Sequence, residues 1–243
     1  MSNKYNVTYK KYSERSILIQ WPAEIDQEIL EDLLFFKKKI SEFYGNLVVE
    51  VISGYNSLLV CYSTMLDDFP EHFSILKSLY DSANTSVSRK KRLWKIPVCY
   101  SEVFATDIIE FSKNKSIHID EVIALHTSAV YSVYFIGFLP GFLYLGGLHK
   151  KLHEPRKSTP SLNIKKGAVA IGGKQTGIYP IDSPGGWHVI GRCPVDLFDV
   201  SAALPSVFYA GDSIQFYAVS INEYTEIKEK ASKGILELTP DFL

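Results

Sequence analysis

The chain contains 243 residues, of which 46% are hydrophobic and 22% are charged, and its 26 basic and 27 acidic residues give a net charge of -1. This composition is typical of a globular protein with one large or two small domains, and the balanced charge argues against general binding to nucleic acid or anionic membranes. No segment is long and apolar enough for a membrane span, and the first residues lack an apolar signal region, so we expect a cytoplasmic protein with no nucleic-acid or membrane partner.

Residues 1–90 predict a small α+β domain. The segment SILIQW (residues 16–21) is rich in β-forming residues, and residues 23–43 carry apolar side chains at the three- and four-residue steps of an amphipathic helix. A pair of strands and a second helix, residues 67–83, should follow. The segment RLWKIPVCY (residues 92–100) predicts a strand that would complete a two-layer fold of ferredoxin-like type.

The polar and basic segment SANTSVSRKKR (residues 82–92) has no apolar period and therefore predicts a linker. We place a domain boundary near residue 90, between a ferredoxin-like α+β domain (residues 1–90) and a second domain (residues 91–243). The four consecutive basic residues at positions 89–92 favour a solvated connector over a nucleic-acid site.

Two short helices are predicted at the start of the second domain, at residues 103–115 and 119–133, and His126 lies beside the apolar stripe of the latter. From about residue 131, short β-rich segments alternate with turns that contain Gly, Pro and Asp. Many short strands at close spacing favour a β-barrel or a sandwich. A surface helix is predicted near the end of the sequence, at residues 222–234.

Glycine is concentrated in two runs, GFLPGFLYLGG (residues 137–147) and GGKQTGIYPIDSPGGW (residues 172–187). The second run does not fit a phosphate-binding P-loop, because Gln175 occupies the position of the hydroxyl residue and no amphipathic helix follows. Neither a dinucleotide-binding fingerprint nor a serine-hydrolase or zinc-protease motif is present. The three cysteines are widely spaced and lack metal-binding companions, so we expect reduced structural thiols and no metal site.

The two glycine-rich runs predict a ligand site at the mouth of the barrel. Glycines allow backbone N–H groups to approach an anion or a flat ligand, aromatic rings supply apolar walls and basic side chains supply donors, a combination that suits a small amide or carboxylate. The alternative is that the glycines form tight barrel corners and that the aromatic rings fill the core. The candidate ligand-binding residues are Phe138, Phe142, Lys174, Gln175, Thr176, Tyr179, Gly185, Gly186, Trp187 and Arg192.

Three segments of the second domain resemble a known family. They are ALHTSAVYSVYFIGFLPGFLYLGGL (residues 124–148), PRKSTPSLNIKKGAVAIGGKQTGIYPIDSPGGWHVIGR (residues 155–192) and AGDSIQF (residues 210–216). They closely resemble the bacterial 5-oxoprolinase B-subunit family, which includes the Kip-type inhibitor of a sporulation histidine kinase and is often labelled allophanate hydrolase subunit 1. The resemblance implies a ferredoxin-like N-terminal domain followed by a cyclophilin-like β-barrel.

The resemblance also implies partners and a reaction. Members of this family pair with a sister C-subunit of related barrel fold and act with an A-subunit to open 5-oxoproline to L-glutamate at the expense of ATP. We therefore expect ATP, with Mg²⁺, as a co-substrate of the complex and no bound prosthetic group. The chain itself would be a non-autonomous subunit of an ATP-dependent cyclic amide hydrolase.

Residue roles follow from the resemblance as hypotheses. Lys174 and Arg192 would bind anionic groups, and Gln175 and Thr176 would contact the amide. His126 is the only candidate for an acid or base, and the alternative for this residue is a packed, hydrogen-bonded histidine without a chemical role.

Two other functions are compatible with the same resemblance. One is a regulatory protein that binds and inhibits a sensor histidine kinase without catalysing a reaction. The other is a carboxyltransferase-like subunit that acts on urea or another small amide together with biotin-bearing chains. Ser161 occupies a position where an arginine is common in the family. This difference is compatible with a different ligand or with a regulatory member of the family.

Overall fold

The computed structural model describes residues 5–82, 91–236 and 238–242. The chain divides into two compact units, Met1–Arg89 and Lys90–Leu243. Most of the predicted linker, residues 83–90, lies outside the described residues, as does the predicted boundary at residue 90. The helices are α1 (Gln27–Tyr44), α2 (Phe69–Asp81), α3 (Ile108–Lys115), α4 (Ile119–Ser128) and α5 (Ile221–Ser232).

The first unit is a four-stranded antiparallel sheet with two helices. Its strands are β1 (Thr8–Ser13), β2 (Ser16–Gln20), β3 (Val48–Ser53) and β4 (Ser57–Tyr62), in the spatial order β1-β2-β4-β3. Alternate residues of the central strands, such as Ile17, Ile19 and Val60, are fully buried. They share one core with Leu33 and Phe36 of α1, because successive side chains of a strand point to opposite faces of the sheet.

The ends of α1 and its contacts follow from its sequence. The Asp26 side chain accepts hydrogen bonds from the backbone N–H groups of Glu28 and Ile29 and caps the N-terminus. Within the helix, the Asp32 carboxylate accepts hydrogen bonds from Trp21 Nε1 at 2.7 Å and from the Tyr80 hydroxyl at 2.5 Å. These bonds connect α1 to the end of β2 and to α2.

The predicted closing strand of the first unit belongs instead to the second unit, so that prediction was wrong. This strand, β5 (Arg92–Val98), pairs in parallel with β13 (Ser213–Ala218), with Trp94 opposite Ile214. Side chains on both faces of β5 are buried, which suits an interior position in a large sheet. The first unit therefore has the element order ββαββα, which differs from the βαββαβ order of a ferredoxin-like fold, and the ferredoxin-like assignment is not confirmed.

The second unit is built on a large, mostly antiparallel sheet. Its remaining strands are β6 (Val130–Ile136), β7 (Leu143–Gly146), β8 (Ser161–Ile164), β9 (Ala168–Gly172), β10 (Gln175–Ile178), β11 (Ser183–Gly185), β12 (His188–Arg192) and β14 (Asp241–Phe242). Among the described residues, eight strands form one sheet in the order β12-β9-β10-β7-β6-β13-β5-β14, and β8 pairs with β11 separately.

The large sheet closes into a barrel. Cys99, directly after β5, and Arg192, at the end of β12, exchange two backbone hydrogen bonds of 2.9 Å and so join the two sides of the sheet. This closure removes one exposed strand edge. A β-barrel in the second domain was one of the two predicted architectures, and the more specific cyclophilin-like description stays a prediction.

Each strand of the barrel places alternate side chains inside and outside. In β7, the fully buried Leu143 and Leu145 contribute to the main core of the unit, whereas Tyr144 between them packs on the other side against a second cluster. The members of that second cluster are Phe142, Ile164, Ala168, Ala170, Tyr179, Trp187 and Val189. The second unit therefore has an apolar interior and an additional aromatic cluster on the outer surface of the barrel.

No helix in the described ranges is both long and apolar enough to span a bilayer.

Candidate functional site

A cleft of about 290 Å³ lies beside the outer aromatic cluster. Six of the residues predicted from the sequence line it together, namely Phe138, Phe142, Tyr179, Gly185, Gly186 and Trp187. Four further lining residues were not predicted, namely Tyr144, Arg156, Pro160 and Pro184. The two glycine-rich runs thus meet at one site, but on the outer surface of the barrel rather than at its mouth, because the barrel interior is filled by the main core.

The walls of the cleft are aromatic rings that pack edge to face. The ring of Phe142 lies 5.2 Å from that of Tyr179 and 5.5 Å from that of Trp187, with interplanar angles of 87° and 83°. Tyr144 completes the group, with its ring 4.8 Å from Phe142. Such T-shaped contacts are favourable beyond the area that they bury, so the walls are held in place without a ligand.

The glycines of the second run make room for these rings. A Cβ atom at Gly172 would lie 2.5 Å from Cδ1 and Nε1 of Trp187, and one at Gly177 would lie 2.9 Å from the ring of Phe142. Only glycine allows a ring to lie this close to the strand backbone. The predicted backbone cradle for an anion is not formed by Gly173, because its N–H donates to the carbonyl oxygen of Glu154 at 2.6 Å.

Phe138 forms an exposed rim of the cleft. Its backbone has a φ of +67°, and 64% of its surface is accessible to solvent. A left-handed backbone conformation at a bulky residue costs of the order of 1 kcal/mol or more and is concentrated at binding sites. Its ring lies 5.8 Å from that of Phe142, so this strained residue extends the aromatic wall towards solvent.

Arg156 is the cation of the cleft. Its guanidinium carbon lies 5.9 Å from the centre of the Trp187 ring, within the range of a cation–π contact. Burial raises the pKa of Tyr179 to about 12, and the positive charge of Arg156 partly opposes this effect. Burial also raises the pKa of Tyr144 against the same opposing charge. Both phenols are therefore neutral at physiological pH and can act as hydrogen-bond donors.

Four of the predicted ligand-binding residues do not line the cleft. Lys174 is exposed in the turn between β9 and β10, and the adjacent Gln175 is buried, with no partner for its Nε2 atom among the described residues. Thr176 is fully buried in the barrel interior, because the alternation of β10 turns it away from the aromatic cluster. These three side chains therefore lie outside the cleft, and their roles as ligand contacts stay predictions.

Arg192 does not line the cleft either. It lies five residues beyond Trp187 at the far end of β12, which corresponds to roughly 16 Å along an extended strand. Its guanidinium carbon is 5.2 Å from the ring centre of Phe104 instead. The structure thus does not place Arg192 in the cleft with Trp187 and Tyr179, and its role in binding an anion stays a prediction. Arg156 is the cation that lines the cleft.

His126 lies in the barrel interior and is completely buried. The Tyr100 hydroxyl lies 2.7 Å from its Nδ1 atom, and its Nε2 atom lies 2.9 Å from Thr176 Oγ1, which donates in turn to the carbonyl oxygen of Ala170. Because the Thr176 hydroxyl donates its proton to Ala170, it accepts a hydrogen bond from the Nε2–H group of His126, and the Tyr100 hydroxyl then donates to Nδ1. The imidazole is therefore neutral and protonated at Nε2. Burial lowers the pKa of His126 to about 3. The alternative of a packed, hydrogen-bonded histidine is favoured over the acid–base role.

The cleft lacks the groups of a self-contained hydrolase. None of its lining residues is a serine, cysteine, histidine or carboxylate, so no pair of nucleophile and base faces a ligand there.

In the described part of the chain, no three His, Cys, Asp or Glu side chains are grouped as they would be around a metal ion. Of the predicted structural thiols, Cys99 and Cys193 are buried and Cys61 is partly exposed. The cleft is thus suited to binding and orienting a ligand.

Comparison with known proteins places this chain in a family. The family model of the carboxyltransferase domain, subdomain C and D, matches residues 7–208. A 5-oxoprolinase B-subunit from Bacillus subtilis is 32% identical over 243 residues, which is 96% of this chain and 100% of that protein. The chain belongs to the 5-oxoprolinase B-subunit family.

Other members and structural relatives of the family extend this result. A 5-oxoprolinase B-subunit from Haemophilus influenzae is 36% identical over 200 residues, covering 82% of this chain and 91% of that protein. The crystal structure of the urea amidolyase of K. lactis superposes with a TM-score of 0.83 and 19% identity, covering 100% of this chain but only 17% of that longer protein. This second similarity shows a shared α/β fold.

Proposed function

We propose that this chain is the B-subunit of an ATP-dependent 5-oxoprolinase, which opens 5-oxoproline to L-glutamate while ATP is hydrolysed to ADP and phosphate. The observation that carries the proposal is the aromatic cleft with a single guanidinium at its edge. 5-Oxoproline is a flat five-membered lactam that bears one carboxylate, so its ring suits the aromatic walls and its charge suits Arg156. The cleft lies within the segments that carry the family resemblance.

The absence of a nucleophile from the cleft fits this reaction. A five-membered lactam is a stable amide, and transfer of the γ-phosphoryl group of ATP to its oxygen would create a better electrophile for water. One water then adds to the ring carbon and the C–N bond breaks, which gives the free amine and an acyl phosphate. A second water hydrolyses the acyl phosphate to the carboxylate of glutamate and free phosphate. The contribution of this chain is to hold the lactam in a fixed orientation, which can account for a large part of the rate enhancement.

ATP and Mg²⁺ are proposed to bind where partner chains complete the site. The cleft offers one cation, which does not match the charge of a triphosphate, and the N–H of Gly173 is already bonded to the carbonyl oxygen of Glu154. The family suggests two partners, the sister C-subunit and the A-subunit. In this proposal the cleft binds the lactam, and the other chains supply the phosphoryl transfer.

Reconstitution tests the proposed function. We expect that the full chain mixed with its candidate A- and C-subunits releases glutamate from 5-oxoproline only when ATP and all three chains are present, because in this proposal the site is shared among the chains. Glutamate and phosphate are measured over time, and omission of each chain in turn is the control. The exposed variant Lys174→Gln, which lies outside the cleft, should retain full activity.

The same experiment separates the alternatives. A complete mixture that forms no glutamate contradicts the proposal. If the chain then lowers the autophosphorylation of a sensor histidine kinase, the regulatory function is supported instead. Carboxylation of urea or another small amide in the presence of a biotin-bearing partner would support the carboxyltransferase function.

A further inference from the structure

Arg156 lies in a short segment, residues 153–157, and the residues that precede it are held by hydrogen bonds and an ion pair. Lys115 Nζ donates to the carbonyl oxygen of His153 at 2.5 Å and pairs with the carboxylate of Glu154 at 3.1 Å. The backbone of Glu154 exchanges two hydrogen bonds with Gly173, of 3.0 and 2.6 Å. Two residues before Arg156, the chain is therefore bound both to α3 and to the turn after β9.

The two residues adjacent to Arg156 are anchored as well. His188 Nε2 lies 2.9 Å from the carbonyl oxygen of Pro155, and the backbone N–H of Lys157 donates to the carbonyl oxygen of Gly186 at 2.7 Å. Lys157 Nζ forms an ion pair of 2.7 Å with Asp107, and the two side chains are only 20% and 13% exposed. Partly buried ion pairs with such geometry are well ordered. Both neighbours of Arg156 are thus anchored to the strands and helices around the cleft.

Arg156 itself differs from the basic residues around it. Lys157 pairs with Asp107, Lys165 pairs with Asp182 at 2.8 Å, and Lys115 pairs with Glu154. For Arg156, no carboxylate within the described ranges forms an ion pair, and its guanidinium is left facing the Trp187 ring. A fixed backbone that presents one unpaired guanidinium is preorganised to bind an anion, since little freedom is lost on binding.

We propose that Arg156 is the carboxylate anchor of the cleft and that the ligand class of the cleft is a small, flat monocarboxylate. The planar guanidinium can donate two parallel N–H bonds to one carboxylate, while the ring of the ligand contacts Phe142, Trp187 and Phe138. The choice of 5-oxoproline within this class rests on the proposed function. His188 and Lys157 act as positioning residues, because they hold the segment and do not line the cleft.

Ligand binding to the isolated full-length chain tests the anchor. Ligand-observed NMR titrations would compare 5-oxoproline with 2-pyrrolidinone, which has the same lactam ring without the carboxylate. We expect at least about tenfold tighter binding of 5-oxoproline, since a hydrogen-bonded charge pair contributes of this order. Arg156→Gln should abolish that preference, Arg156→Lys should retain part of it, and Lys174→Gln should leave it unchanged.

The outcomes are distinct. The proposal is overturned if the wild-type chain binds neither ligand, if it binds both equally, or if Arg156→Gln keeps the preference for the carboxylate. Cyclopentanecarboxylate serves as a third probe. If it binds as tightly as 5-oxoproline and with the same dependence on Arg156, the role of Arg156 as the carboxylate anchor is supported, and the choice of 5-oxoproline as the substrate is contradicted. Thermal melts of both Arg156 variants check folding, and Arg156→Lys provides the test should Arg156→Gln be unstable.

Discussion

Replacing Gly172 with alanine is expected to displace the Trp187 indole and to reduce ligand binding and complex activity by about a hundredfold or more. The added methyl group would lie 2.5 Å from two atoms of a ring that is only 4% exposed, so the ring or the strand must move. Such overpacking costs roughly 1–3 kcal/mol of folding free energy, and a displacement of about 1 Å in a positioning site can lower the rate by this factor.

The matched control is Gly186→Ala in the same cleft. A Cβ atom at Gly186 would meet no atom nearer than 3.6 Å, so this variant should fold as the wild type does and leave the Trp187 ring in place. Because Gly186 lines the cleft, it is a control for folding and for the position of the ring, and not for binding. Near-UV circular dichroism reports the Trp187 environment, and glutamate release by the reconstituted complex reports activity. Wild-type activity in Gly172→Ala, together with a changed Trp187 signal, would show that the position of the Trp187 ring is unimportant for function.

Replacing His126 with alanine is expected to lower the free energy of unfolding by about 3 kcal/mol or more. The change removes a ring stacked on Phe216 at 4.7 Å, leaves the buried Tyr100 hydroxyl without its acceptor and removes one of the two hydrogen bonds of Thr176 Oγ1. Cavities and unpaired buried polar groups are the two main sources of such losses. Urea unfolding measures the effect, and the exposed His149→Ala should change stability by less than about 1 kcal/mol.

The pH dependence of stability provides a second test at the same residue. Burial lowers the pKa of His126 to about 3, whereas an unfolded histidine has a pKa of about 6.5. Between these values the unfolded chain binds more protons, so stability from this group is complete above pH 6.5 and falls by up to roughly 1.4 kcal/mol per pH unit as the pH is lowered. His126→Gln should lack this contribution, and identical pH profiles would contradict the burial of a neutral imidazole.

The sequence predicted the local elements well and the long-range pairings poorly. The predicted helix at residues 23–43 is observed as α1 (Gln27–Tyr44), since the Asp26 cap and the apolar period are both local signals. The assignment of β5 to the first unit failed because its partner β13 lies far along the chain. The local sequence of β5 specifies a buried strand but not the sheet to which it belongs.

The sequence predicted the aromatic residues that line the cleft but not Arg156, the cation that lines it. The glycine-rich runs indicated that Tyr179 and Trp187 lie together, since close packing of rings on a strand requires glycine. Choosing between Arg192 and Arg156 required two facts that the sequence does not show: the direction of each side chain and the pairing of every nearby carboxylate. The basic pair in PRK (residues 155–157) was the available signal, and the structure separates its members into one paired and one unpaired cation.

The parallel pairing of β5 with β13 has a consequence for biosynthesis. The ion pair between Arg92 and Asp212, which lies at the start of these strands, joins positions 120 residues apart. The barrel therefore cannot be completed on the ribosome until almost the whole chain has been translated, whereas the four strands of the first unit have all been translated by residue 62. Because unpaired strand edges of an unfinished sheet promote aggregation, the nascent second unit is exposed to this hazard for longer during synthesis than the first unit.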